Sequence, residues 1–387
     1  MFLTKANELK EKTIGIRRAL HQIPEVGLNL PKTKAYVKAK LEGLGLKVKE
    51  LGESGLSTII EGNGDGKTLL LRADMDALPM CENSHLPFSA QGAEAHTCGH
   101  DLHTAMLLTA AEILIEHKNE FPGKVKLMFQ PAEEIFKGSK MMIKEGILEN
   151  PKVDAALAMH TNLDESPGSF GYNLGYMTTS CDNFKIDITG KGAHGAYPHT
   201  GIDPINAAVN IYQNFAELLS RENPPQATTT LTFGELSAGS SSNIIPETAR
   251  MQGTMRTYDP DVREKMKKRM GEILEGIAKT TGCKIEIDYF SGVPSLYSNP
   301  ELTREIVEIV TEKCPEIKML PNAKIMASED MADISVKVPT TYLMMNCKVD
   351  GINVSHHNPG VLFNEDAMPY GVDVFTTVAI EWLKRHK

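Results

Sequence analysis

KTLLLRADMD, residues 67–76, is an apolar run that stops at two aspartates, Asp74 and Asp76. Preceded by STIIEG (57–62) and the turn-forming NGDG (63–66), it reads as the second, buried strand of a hairpin. Working outward, GKVKLMFQPAEE (123–134) repeats the design: a strand runs up to Pro131, which cannot continue a ladder, and delivers Glu133 and Glu134 at its tip. KVDAALAMH (152–160) does so a third time and ends on His160. Between the first two strands, TAMLLTAAEILIE (104–116) is helical by propensity and apolar enough to be largely buried. Strands alternating with helices predict an α/β domain with a mixed, largely parallel sheet and helices on both faces. Ligands of such sheets bind beyond the carboxyl ends of the strands, and Asp74, Asp76, Glu133, Glu134 and His160 all converge there.

Upstream, residues 5–20 and 32–44 have helical periodicity, broken by HQIPEVG. Downstream a second pattern starts: strand NFKIDITG, helix DPINAAVNIYQNFAELLS, strands ATTTLTFGEL and ETARMQGTMRTY, helix DVREKMKKRMGEILEGIAKTTG and strand CKIEIDYF. That order is β-α-β-β-α-β, a ferredoxin-like split-βαβ unit with its helices on one face. It predicts an inserted domain at 181–291 and a first domain made of 1–180 and 292–387. The first domain resumes with PELTREIVEIVTEKC, TTYLMMNC and DVFTTVAIEWLKRHK.

The 387 residues suit about two domains, and 41% hydrophobic with 24% charged residues is an ordinary globular composition. A net charge of −9 argues against a nucleic-acid partner, which wants clustered Lys and Arg. No apolar run approaches a membrane span, and MFLTKANELKEK turns polar too early for a signal peptide, so a cytoplasmic location is expected. The six cysteines lie far apart, which disfavours a disulfide framework; five read as small buried hydrophobes.

The sixth, Cys98, lies in AHTCGHDLHTA (95–105) with three histidines, Asp101 and Gly99. Cys98 and His100 are two apart, so a helix would splay them while a looped backbone can aim both at one point. Thiolate plus imidazole selects a borderline transition metal such as zinc over magnesium or calcium. Alone the pair also fits a buried cysteine beside surface histidines. Glu134, His160 and the His356–His357 pair of SHHNP supply the further ligands a metal needs. The side chains of successive residues diverge at a strand tip, so one of Glu133 and Glu134 can bind metal while the other stays free to take a proton from water.

LRADMDALP, HTCGHD, PAEE, GKGAHGAYPHTGIDP, SSNIIPE and SEDMA, in that order between about His21 and Gly371, resemble the M20 metallopeptidase family and its amidohydrolase branch of N-acyl-amino-acid, hippurate and auxin-conjugate hydrolases. The resemblance implies a di-metal catalytic domain and an inserted, lid-like dimerisation domain, hence a homodimer or higher homo-oligomer. It implies Cys98, His100, Glu134, His160 and His357 as ligands of two divalent ions, zinc or manganese ahead of cobalt or nickel, and Glu133 as general base. His357 is chosen over His356 because the branch has a histidine two residues before a proline, here Pro359. The wider family's H-x-D ligand histidine is replaced here by Asp74, and Asp76 is expected to support a ligand histidine from behind.

In the inserted domain the resemblance gives His194 the stabilisation of the oxyanion. Asn243 and Arg256 suit a substrate carboxylate. Glu329 and Asp330 read either as supporting groups or as acids at a helix N-terminus. The expected activity is metal-dependent hydrolysis of N-acyl-L-amino acids. Its rivals are a dipeptidase or carboxypeptidase, an N-acetyl-diaminopimelate deacetylase, a cysteine hydrolase using Cys98, and a non-catalytic ligand-binding protein.

Overall fold

The computed structural model describes all 387 residues and divides into two compact units. The first, Met1–Met177 with Leu296–Lys324 and Glu329–Lys387, is built on an eight-stranded sheet. Its first six strands are β1 (Lys49–Leu51), β2 (Gly55–Glu61), β3 (Thr68–Asp74), β4 (Lys124–Gln130), β5 (Ala155–Asn162) and β6 (Ser169–Tyr172). The sheet order is β1, β2, β4, β3, β5, then Thr340–Asn346, β6 and Lys318–Pro321. The four central strands, β4 to Thr340–Asn346, are parallel to one another. All seven residues of β3 are buried, as a strand covered on both faces requires.

The expected hairpin between β2 and β3 does not form: β4 lies between them, antiparallel to β2 and parallel to β3. The NGDG turn is stitched to the approach of β4 instead, through Asn63 N–H to Phe121 O (2.7 Å) and Gly62 N–H to Gly123 O (2.9 Å). Glycine is needed at 123, where φ is +74° and a Cβ would stand 2.2 Å from the Lys67 carbonyl.

The parallel register puts the C-terminal ends of β3, β4 and β5 at one edge of the sheet, with Asp74 opposite Gln130. The helix expected from Thr104 starts at His100 and runs to Glu116; its N-cap is Gly99, at φ +89°. It is buried nearly all round, which explains its apolar composition.

The second unit is Thr178–Ser295 with Ile325–Ser328. Its antiparallel sheet runs Thr229–Ala238, Thr248–Thr257, Cys181–Thr189, Lys284–Val293. Alternate residues Phe184, Ile186 and Ile188 pack with Ala208, Ile211 and Phe215 of helix Pro204–Glu217 and with Met266, Met270 and Leu274 of helix Pro260–Thr281. Asp203 and Asp259 cap those helices from the residue before the proline. Compared with the 181–291 read from the sequence, the compact unit starts and ends a few residues further out and takes in Ile325–Ser328. That segment is held by Thr179 N–H to Ala327 O (3.0 Å) and Tyr258 Oη to Ile325 O (2.9 Å), contacts no local pattern announces.

All six cysteines are free. Cys81 is exposed, contrary to its reading as a buried hydrophobe, because it lies on the irregular segment that follows β3. No helix is long and apolar enough to cross a membrane.

Candidate metal centre

Cys98 is delivered by the turn into helix His100–Glu116 and His100 is that helix's first residue. A Cβ at Gly99 would stand 2.6 Å from Thr161 Oγ1, so the glycine lets the turn press onto the end of β5. The same hydroxyl donates to the Cys98 carbonyl (2.9 Å). His100 Nδ1 donates to the Asp76 carbonyl (2.9 Å), which leaves Nε2 as the free acceptor. That nitrogen is buried without a hydrogen-bond partner: Asp74 Oδ2 and Glu134 Oε1 stand off at 3.7 and 3.9 Å.

His160 at the end of β5 uses Nδ1 on the Thr161 carbonyl (2.8 Å) and sets Nε2 3.4 Å from Cys98 Sγ. His357, at φ +59°, is fixed by its N–H to Thr97 O (3.0 Å). Its Nε2 is 3.3 Å from Cys98 Sγ and 3.3 Å from Glu134 Oε1. His356 turns its Nε2 to Thr161 Oγ1 (3.2 Å).

Five three-donor groups result, and two of them, Cys98–His100–His160 and Cys98–Glu134–His357, share one sulfur; Asp74–His100–His103 and His100–Glu133–Glu134 overlap them at His100. Donors bound tetrahedrally at 2.0–2.3 Å from one ion stand roughly 3.3–3.7 Å apart, the separations found around Cys98. The donor chemistry, thiol, imidazole and carboxylate, fits a borderline transition metal, and the orphaned His100 Nε2 fits a ligand with no ligation partner in the protein.

Electrostatics agree. Burial, then Glu134, Glu133 and Asp74, pushes the Cys98 thiol well above its ordinary range, so the site stabilises its thiolate only beside a cation. Burial works against charge on His100, but Asp74, Asp76 and Glu134 raise it to about 10, so the carboxylates favour a positive charge at Nε2, which a proton fills until a metal ion displaces it. Burial, followed by Glu329, Glu134 and Asp330, drives Glu133 far up. A nucleophilic cysteine needs a lowered pKa, and the surroundings of Cys98 do the opposite.

Asp76 does more than expected of it. Its carbonyl, not its carboxylate, takes the closer contact to His100; Oδ1 is 3.5 Å away. The carboxylate accepts from the backbone N–H of Glu133 (3.0 Å) and of Glu134 (3.1 Å). It thereby fixes the tip beyond Pro131, where Ala132 sits in the left-handed region at φ +57°.

Asp74 accepts from Arg72 Nη1 (2.6 Å) and His103 Nδ1 (2.6 Å). His103 Nε2 accepts the Thr161 N–H (2.9 Å), so the motif's third histidine has both nitrogens committed to protein partners. Glu329 and Asp330 are buried with Arg72, and Tyr342 Oη donates to Glu329 (2.5 Å). Their carboxylates and that of Glu133 form a further acidic group. Arg72 and Tyr342 were missed in the sequence. The signal was there for Arg72: a charge inside an apolar strand needs a buried partner.

In the second unit, a two-residue ladder sets His194 opposite Ile244, and Gly195 N–H bonds Asn243 O (2.7 Å). His194 and Asn243 are thus neighbours, both exposed. His194 Nδ1 accepts from Ala196 N–H (3.1 Å) and Asn243 Oδ1 from Ser241 Oγ (2.7 Å). Arg256, half-buried, donates to Ser328 Oγ (3.0 Å).

Residues 70–381 match Peptidase family M20/M25/M40. The chain belongs to this family. It is 35% identical to an N-acetyl-L-cysteine deacetylase of Bacillus subtilis, over 93% of this chain and 85% of that one. It is 33% identical to a thermostable carboxypeptidase of Saccharolobus solfataricus, over 97% and 96%. Among solved structures, the Bacillus subtilis YXEP protein, a dinuclear metal-binding peptidase of the M20 family, superposes with a TM-score of 0.85 at 28% identity, covering 97% of this chain and 99% of that one. As a member of the M20 family, the chain is an amidohydrolase.

Proposed function

We propose that this M20 amidohydrolase hydrolyses the amide bond of N-acyl-L-amino acids, releasing a carboxylic acid and the free amino acid. The observation that carries the reading is the pair of three-donor groups meeting at Cys98, with His100 Nε2 unpartnered among them. Cys98, His100 and His160 would hold one divalent ion and Cys98, Glu134 and His357 a second, zinc or manganese foremost and cobalt or nickel as the others to try. Bound there, the ions supply Lewis acidity to the scissile carbonyl and to water.

The chain's own residues do the rest. Glu133, fixed through its backbone by Asp76, takes the proton of the attacking water and hands it to the leaving nitrogen. A site crowded with Glu134, Glu329, Asp330 and Asp76 makes that carboxylate avid for a proton. His194 serves as the donor to the oxyanion, and Asn243 and Arg256 receive the substrate's carboxylate.

Support for the substrate class comes from what the two curated relatives share. N-acetylcysteine and a peptide's C-terminal residue are both amino acids with an acylated nitrogen and a free carboxylate. The carboxypeptidase relative therefore favours one second reading, peptides in place of simple acyl groups. The test is metal content and turnover, before and after chelation and re-addition of zinc, manganese, cobalt or nickel, on N-acetyl, N-benzoyl and N-indoleacetyl amino acids beside dipeptides. Activity that survives chelation rejects the metal reading, and turnover of dipeptides alone rejects the substrate class.

A further inference from the structure

The chain between the end of β3 and helix His100–Glu116 carries no helix and no strand, only the isolated bridge Leu78 to Ala95. It ends on Cys98, so something other than a ladder must hold it. Two links tie it to the segment that carries His357: Asn83 N–H to Pro359 O (2.7 Å) and His357 N–H to Thr97 O (3.0 Å). Its start is held by Met75 N–H to Gln130 O (2.8 Å) and Ala77 N–H to Glu25 O (2.8 Å), and its end by Thr161 Oγ1 on the Cys98 carbonyl (2.9 Å). The stretch around Glu82 is anchored by His21, at the end of helix Lys10–His21 and buried.

His21 Nδ1 bonds Asp101 Oδ2 (2.8 Å), the residue directly after His100. Its Nε2 lies 3.0 and 3.1 Å from the two Glu82 oxygens. Glu82 also accepts from Ala90 N–H (2.6 Å) and from Ser84 Oγ, which closes the loop on itself. Arg17 Nε shares Asp101 Oδ2 (2.8 Å), and Phe88 of the loop lies edge-on to the His21 ring (5.4 Å). With a carboxylate at each ring nitrogen, both nitrogens donate and the imidazole is charged.

We propose that His21 is a positioning residue for the metal centre: by bridging Asp101 and Glu82 it ties the Glu82–Ala90 stretch to the first turn of helix His100–Glu116, and through Asn83, next to Glu82, it helps set the distance between the Cys98–His100 turn and the segment that carries His357. This rests on the reading of those residues as ligands. None of the residues in the bridge is itself a ligand, so the effect is on the fit of the donors. Supporting groups of this kind change metal affinity about 10–100-fold when removed.

The test is the affinity of the full chain for zinc and for manganese, by competition with a chromogenic chelator, with the thermal midpoint of the metal-stripped protein read alongside. His21→Ala is expected to weaken affinity by about 10–100-fold. Glu82→Gln, which turns one accepting oxygen into a donor amide, is expected to weaken it by about 3–10-fold. Because both changes break one connection, His21→Ala with Glu82→Gln should be no weaker than the worse single variant. A His21→Ala protein that melts lower yet binds as tightly as wild type overturns the proposal and leaves His21 a stabilising ion pair only. Additive losses in the double variant overturn it too, and if His21→Ala does not fold, wild-type affinity in Glu82→Gln does the same. Failure of the metal reading looks different: the wild type itself then binds neither ion.

Discussion

Glu133 and Glu134 are consecutive, yet the chain gives them different surroundings. Glu134 faces His357 and His100, which lower its pKa against the burial that would raise it, while Glu133 is raised first by burial and then by Glu329, Glu134 and Asp330. Glu133→Gln keeps the shape and removes the proton acceptor, so turnover should fall about 10²–10⁴-fold with metal content unchanged. Glu134→Gln should instead lose metal. Steady-state kinetics beside metal analysis separates the two, and a Glu133→Gln enzyme of near wild-type rate rejects the base. At His21 the sign of the pH dependence can be worked out. Burial would lower it, but Asp101 and Glu82 prevail and raise it to about 9 from an ordinary 6.5. Its ion pairs therefore add stability that is complete below about 6.5 and is lost as pH rises through about 9. The Arg17 charge beside it works against this, and neighbouring His96, pushed down to about 3 first by burial, stays neutral across the range. The urea midpoint of the metal-free chain should fall from pH 7 to pH 10 more steeply in wild type than in His21→Gln, and parallel curves would count against the assignment.

Among the elements, the turn at Gly99 joins backbone conformation to chemistry. Gly99→Ala imposes a side chain at φ +89° and against Thr161, whose N–H donates to His103 and whose hydroxyl donates to the Cys98 carbonyl. It should cost about 1–3 kcal/mol in a urea titration and weaken metal binding together with stability. The strand tips were legible in the sequence because each apolar run stops abruptly at polar residues: RADMD, QPAEE, AMH. The partner of each strand was not. Periodicity says that β2 and β3 are strands but carries nothing about which strand lies between them, and the glycines that tie NGDG to Phe121–Gly123 read locally as an ordinary hairpin turn. For the same reason the motif alone does not divide its histidines. His100 and His103 both lie on the helix that starts at His100, and only the long-range bonds to Asp74 and Thr161 show that His103 is already spoken for. Asp76 was recognisable as important, but its grip on the two glutamate N–H groups depends on β4 lying beside β3.

At the scale of the whole molecule, the second unit exposes large apolar side chains on one helix face and on an edge strand. Helix Pro204–Glu217 buries Ala207, Ala208, Ile211 and Phe215 against its own sheet, while Ile205, Val209 and Tyr212, spaced four and three apart on the opposite side, are exposed. Next to it the edge strand Thr229–Ala238 pairs on one side only and leaves Leu236 exposed. Edge strands that lack protection invite pairing, and a second copy related by a two-fold axis would continue the sheet and cover the helix stripe with its own. The homodimer that the family resemblance implies would then be closed through the inserted unit. Light scattering should give twice the chain mass for wild type and one chain mass for Val209→Glu with Tyr212→Glu, in which two charges replace apolar side chains that would be buried. Metal affinity per chain should be the same in both, because the proposed ligands all lie in the first unit. A wild-type chain that is monomeric at high micromolar concentration rejects the dimer, and a double variant that stays dimeric places the contact elsewhere.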